Sequence, residues 1–203
     1  NLMAPGLRVD SRRRPLAYGE VISITLTSAV PLELGAFSLQ AELGSPSKML
    51  SNGFQTWSQT RVYSPEQYMA PLFAPARPLL APYGDYRLLT STGKKGQFHS
   101  WSWTGFEENG RWLLLASISE DWGYTLFAAD LIQGSLSIRR DCLGEATSEY
   151  PLLEIYIGQG SEQQVWEEFA SLLPRHWRPP GRCTGWTSWY NYYTKINEEI
   201  ICS

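Results

Sequence analysis

Short runs in which apolar and polar residues alternate, each ended by turn-forming residues, restrict this chain more than any other feature. Ile22-Ser-Ile-Thr-Leu-Thr27 alternates strictly, and Phe37-Ser-Leu-Gln-Ala-Glu-Leu43 repeats the pattern after Pro31 and Gly35 break the phase. A period of two sends successive side chains to opposite faces, so each run predicts a half-buried strand. His99-Ser-Trp-Ser-Trp-Thr104 places His99, Trp101 and Trp103 on one face and hydroxyls on the other. Trp112 to Ile118, Trp122 to Ala128, Leu136 to Arg140 and Leu152 to Ile157 also read as strands. Asn-Gly at Asn52-Gly53 and at Asn109-Gly110 supplies turns. Many short strands separated by turns predict an all-β fold, a large antiparallel β-sandwich. A chain of 203 residues with 43% hydrophobic side chains can bury the core this needs.

Three stretches depart from the strand pattern. Between Arg61 and Gln97, prolines cluster from Pro65 to Pro82 among Tyr63, Tyr68, Tyr83 and Tyr86. Proline removes amide donors and fixes φ, so an ordered excursion without central strand or helix is expected there. Ser161-Glu-Gln-Gln164 is a capping box that opens a helix carrying Val165, Phe169, Leu172 and Leu173 on one stripe, with Pro174 to end it. Pro174 to Arg182 holds three prolines and reads as a stiff linker. The predicted organisation is a sandwich domain over 1–173 with its helix near 161–173, a linker over 174–182, and a separate element over 183–203. In that last element Cys183 to Tyr193 has strand composition, and Asn197 followed by Glu198 and Glu199 reads as a capped helix start. A strand feeding a helix is the first step of a parallel α/β fold.

Charge and ligand supply exclude several functions. A net charge of −3 gives no long-range attraction for nucleic acid or an anionic membrane, and Arg12-Arg13-Arg14 reads as a solvated turn. The longest apolar runs, such as Trp112 to Ala116, are of strand length, so no membrane span is expected. Cys142, Cys183 and Cys202 stand at wide spacings and, with His99 and His176, form no zinc-site pattern, so no metal or other cofactor is expected. Free thiols and the lack of a secretory start at Asn1 to Gly6 fit a cytoplasmic protein. Adjacent acids occur at Glu107-Glu108 and Glu120-Asp121, but neighbours on a strand face opposite ways, so neither pair suits acid–base chemistry.

Gly185-Trp-Thr-Ser-Trp-Tyr190, with Tyr193 and Ile196-Asn-Glu-Glu-Ile200 behind it, resembles the first barrel strand of α-galactosidases of the melibiase type, glycoside hydrolase family 36. Asn52-Gly-Phe-Gln-Thr-Trp-Ser58 is similar to the Asn-Gly-Tyr-Gln-Ser-Trp-Ser motif of that family's N-terminal domain, and His99-Ser-Trp101 to a weaker motif. Thr187 departs from the Cys or Asn that many relatives carry there. The resemblance implies an N-terminal sandwich followed by the first βα element of a (β/α)8 barrel. It implies a retaining mechanism with two aspartates, one attacking the anomeric carbon and one protonating the leaving oxygen, about 5 Å apart. Those acids lie on later barrel strands, so the 203 residues by themselves are expected to be inactive, with an α-galactoside as substrate of the whole barrel.

No catalytic residue is therefore expected here. Carried over from the family, Trp189 lines a sugar subsite, and Trp57 with Asn52 either braces sandwich against barrel or reaches the rim of its site. A free-standing carbohydrate-binding or assembly module is the alternative reading, since it accounts for nine tryptophans on a sandwich without a barrel. Unburied aromatics over 183–203 predict self-association or a homo-oligomer.

Overall fold

The computed structural model describes residues 6–54, 60–70, 75, 93–142, 144, 146–173, 192, 195 and 197–202. The chain divides into two compact units, Asn1–Leu173 and Pro174–Ser203. The first is an all-β unit whose described residues form two antiparallel sheets and one helix. Its strands are β1 (Leu7–Pro15), β2 (Gly19–Glu33), β3 (Ala36–Glu42), β4 (Lys48–Ser51), β5 (Arg61–Tyr63), β6 (Gln97–Trp101), β7 (Trp103–Glu108), β8 (Arg111–Ser117), β9 (Thr125–Asp130), β10 (Ser135–Asp141) and β11 (Ala146–Gly160), followed by α1 (Glu162–Leu172). The larger sheet runs in the order β1-β2-β11-β8-β7-β4-β5 and the smaller β3-β10-β9-β6.

The alternation of each strand explains how the layers meet. Met49, Phe106, Leu115, Leu153 and Ile155 of the larger sheet share one buried cluster with Phe98, Phe127, Ala129, Leu136 and Ile138 of the smaller. That cluster is the sandwich core. The opposite parity on β8 and β11 gives Leu114, Ala116 and Tyr156, which pack against Val165 and Phe169 of α1 on the outer face of the larger sheet. Thus β8 and β11 are covered on both sides, and their runs lose polar residues accordingly.

Helix α1 begins as its capping box requires, with Ser161 accepting from Gln164 N and Gln164 returning the bond to Ser161 N. Its mid-helix acid fixes the docking. Glu168 accepts Tyr156 Oη at 2.8 Å on one oxygen and the amides of Ala17 at 2.8 Å and Tyr18 at 3.1 Å, in the turn between β1 and β2. Burial, reinforced by this carboxylate, raises the Tyr156 phenol well above its ordinary range. Glu168→Ala removes three hydrogen bonds and is expected to lower unfolding free energy by about 2 kcal/mol, measured by urea denaturation.

Several local expectations need correction. Arg12 to Arg14 are in β1, an edge strand paired with β2 through Leu7↔Ser28 to Pro15↔Glu20, and not in a turn. Edge strands carry charges because charged side chains discourage further pairing, and Arg13 is ion-paired to Glu20. The run from His99 to Thr104 is two strands. Its chain leaves the smaller sheet after Trp101 and enters the larger at Trp103, turning at Ser102 with φ +61°. The strand predicted from Trp122 starts at Thr125, and that predicted from Leu152 to Ile157 extends over all of β11. Arg61–Tyr63, in the proline-rich excursion, pairs with β4 at the sheet edge, where few amide donors are needed.

In the second unit, α2 (Glu198–Cys202) is capped by Asn197, whose side chain accepts Ile200 N at 2.9 Å. The expected barrel strand from Cys183 to Tyr193 lies outside the described residues except at Tyr192, which is helical where an extended residue is expected, and Trp57, Trp186 and Trp189 also lie outside them.

Candidate functional site

Asn52 follows β4 directly, opposite the corner where the chain changes sheets. Its backbone amide donates to Ser100 Oγ at 2.7 Å, its side-chain amide donates to Trp101 O at 2.9 Å, and its carbonyl accepts Trp101 N at 3.0 Å. Its remaining side-chain oxygen accepts the Thr60 hydroxyl at 3.0 Å. Ser100 Oγ also donates to Trp103 O, and Thr104 Oγ1 to Leu50 O at 3.0 Å. The hydroxyls on this stretch are used as inter-strand ties at the corner. Asn52 is equally committed within the sandwich, with its backbone and both polar side-chain atoms engaged. Asn52→Ala leaves the half-buried carbonyl of Trp101 without its side-chain donor. The variant is expected to lose about 1–2 kcal/mol of stability, read from its urea midpoint.

The aromatics separate at the same corner. Trp101 is 3% exposed, with Phe54 tilted against it at 4.8 Å between ring centres and Tyr124 edge-on to Phe54 at 5.0 Å. Trp103 is on the other sheet, against Trp166 of α1 at 5.0 Å. The single face expected for His99, Trp101 and Trp103 therefore does not exist. His99 and Trp101 belong to the smaller sheet, and His99 is buried.

Beneath this corner lies a polar cluster that sequence reasoning missed. Arg140 of β10 is 2% exposed, and its Nη1 donates to Ser119 O at 2.6 Å, Thr125 Oγ1 at 2.8 Å and Ser117 Oγ at 3.3 Å. Glu120 Oε1 stands 3.9 Å from the same nitrogen, while Glu120 Oε2 accepts Thr125 N at 3.0 Å. Arg140 thus ties β10 of one sheet to the end of β8 in the other. Burial pushes the Glu120 carboxyl up, only partly offset by bonds from Ser117 and Thr125 and by the Arg140 charge. A carboxyl whose folded pKa is raised contributes stability below its unfolded pKa and loses it as pH rises through the folded one. As pH rises above the ordinary carboxylate range, Glu120→Gln should therefore flatten that component of the stability–pH curve, seen by melting at stepped pH.

Of the two acid pairs only Glu107-Glu108 lies on a strand, β7, whereas Glu120-Asp121 lies in the connection between β8 and β9. Glu107 accepts the Gly110 amide at 3.0 Å and Ser47 Oγ at 3.0 Å and pairs with Lys48 Nζ at 3.2 Å, which in that order hold its carboxyl below the usual range. Glu108 points the other way, across the open end of the sandwich towards Gly44. Asp121 lies exposed beyond Glu120.

That open end carries a concavity. A groove of about 450 Å³ runs between the β3–β4 connection and the β7–β8 hairpin, at the end remote from Asn52. Leu43, Phe106 and Leu113, all part of the core cluster, form its apolar floor, and Glu42, Glu108, Asn109, Arg111 and Gln159 stand around it. Backbone bonds fix both walls, Leu43 N to Gly134 O at 2.7 Å and Ser47 N to Glu107 O at 2.8 Å. Asn109 at φ +52° and Gly110 at φ +76° close the hairpin as the sequence leads one to expect of an Asn-Gly turn. Among the described residues no group of three or more His, Cys, Asp or Glu side chains could hold a metal ion. No helix of the described residues is long and apolar enough to cross a membrane.

Set against known proteins, the chain matches no family model, and no curated protein matches it.

Proposed function

We propose that this chain supplies the N-terminal sandwich, and the opening strand of the catalytic barrel, of a retaining α-galactosidase-like glycoside hydrolase. What supports the reading is the Asn52 segment. Asn52 opens the segment that resembles a family motif, and three of its atoms tie the end of β4 to the sheet-changing corner while the fourth accepts from Thr60. Hydrolysis then belongs to aspartates on later barrel strands, and this sandwich has a supporting role.

The test is to extend the chain along its downstream reading frame and assay an aryl α-galactoside, following the anomeric proton of the first product by NMR. The extended protein should release α-galactose, consistent with retention, while the 203 residues alone release none. An extended protein that leaves aryl α-galactosides intact overturns the reading, and turnover by the 203 residues alone overturns the placing of the acids. The second reading, a free-standing carbohydrate-binding module, draws on the groove at the open end of the sandwich, which needs no barrel.

A further inference from the structure

We propose that the groove between the β3–β4 connection and the β7–β8 hairpin binds one neutral pyranose ring. Each side of the chemistry points there. The floor of Leu43, Phe106 and Leu113 is apolar and suits the C–H face of a sugar. The rim offers acceptors on Glu42 and Glu108, donors on Arg111, and both on Asn109 and Gln159. A hydroxyl donates and accepts, so a polyol can satisfy such a mixed rim at several points.

Other ligand classes fit less well. An anion would meet two carboxylates against one guanidinium, and a metal ion finds no cluster of three ligands among the described residues. A wholly apolar ligand would strip water from five polar side chains that have no hydrogen bond within the described sandwich, and give nothing in return. The walls are already pinned by backbone bonds, so little ordering is needed when a ligand arrives.

The inference takes from the proposed function only its first probe, galactose. Saturation-transfer NMR on the 203-residue chain should show transfer to galactose ring protons, with an affinity in the millimolar range. Glu108→Ala combined with Arg111→Ala changes only exposed rim residues, and a melt matching the parent verifies folding. That variant should bind at least about tenfold more weakly, one tenfold step being the loss of a typical hydrogen-bonding contact. Melibiose should bind as galactose does, because one ring fills the site. Three results would overturn the proposal: no transfer to galactose, equal binding by the folded double variant, or melibiose binding more than about tenfold tighter than galactose. An extended protein without hydrolase activity removes the hydrolase reading and leaves this binding in place. Loss of binding here leaves hydrolysis by the extended protein untouched.

Discussion

Arg140→Met is expected to lower the unfolding free energy of the sandwich by about 3 kcal/mol, because it strands several buried or half-buried acceptors of one guanidinium. Arg140 is 2% exposed, and one of its nitrogens serves Ser119 O, Thr125 Oγ1 and Ser117 Oγ together. Methionine fills much of the volume but donates nothing. The loss therefore comes from acceptors stranded out of water and from Glu120, left without its nearest positive charge. If this cause is right, adding Glu120→Gln recovers part of the loss, because the amide removes a half-buried charge. Urea denaturation of both variants decides the matter: the slope should stay constant while the midpoint falls and then partly returns. A fall below about 1 kcal/mol in the single variant would mean that water reaches the cluster and replaces the guanidinium.

The same residue shows what was legible beforehand. Leu136, Ile138 and Arg140 share one parity on β10, and the first two are core residues. A charge on the apolar register of a strand is a visible signal of a buried, bonded arginine. Arg139 beside it masks that signal, because the two together look like the solvated end of a run. The sandwich itself was legible from alternation, since β2, β3, β8 and β10 each have one face on the shared core. The corner at Ser102 was not. Alternation continues unbroken from His99 to Thr104, and a change of sheet leaves the polar–apolar order intact while sending Trp101 and Trp103 to different layers. β1 was hidden for another reason: an edge strand exposed on both faces has no apolar register to display.

The candidate groove was illegible for a topological reason. Its walls come from the end of β3, the β7–β8 hairpin and Gln159 near the end of β11, brought together only when the two sheets close. Asn52 lies between these extremes. Its turn character and family resemblance were visible, but its three bonds to the corner depend on where β6 ends. The chemistry of a side chain is in the sequence, whereas its partners are set by register.

Gly123→Ala is expected to destabilise the sandwich by about 3–5 kcal/mol, as large single-residue losses do when backbone strain and a clash coincide. Gly123 sits in the turn before β9 with φ +130°, a conformation side chains rarely adopt, and a Cβ there would lie 1.7 Å from Asp141 O. The obstacle is backbone, held in place because Asp141 N donates to Tyr124 O at 3.0 Å, so it cannot rotate away. Relief must come from shifting the start of β9, which carries Thr125 and with it part of the Arg140 cluster. Gly110→Ala separates the two causes. It has φ +76° with nothing within 4 Å of the added Cβ, so it carries conformational strain alone and should cost only about 1 kcal/mol. Thermal melts of the two variants should therefore differ widely, and the gap measures the collision at Asp141. Equal losses would show that the turn at Gly123 yields without disturbing β9, and that strain, not contact, is all a side chain meets there.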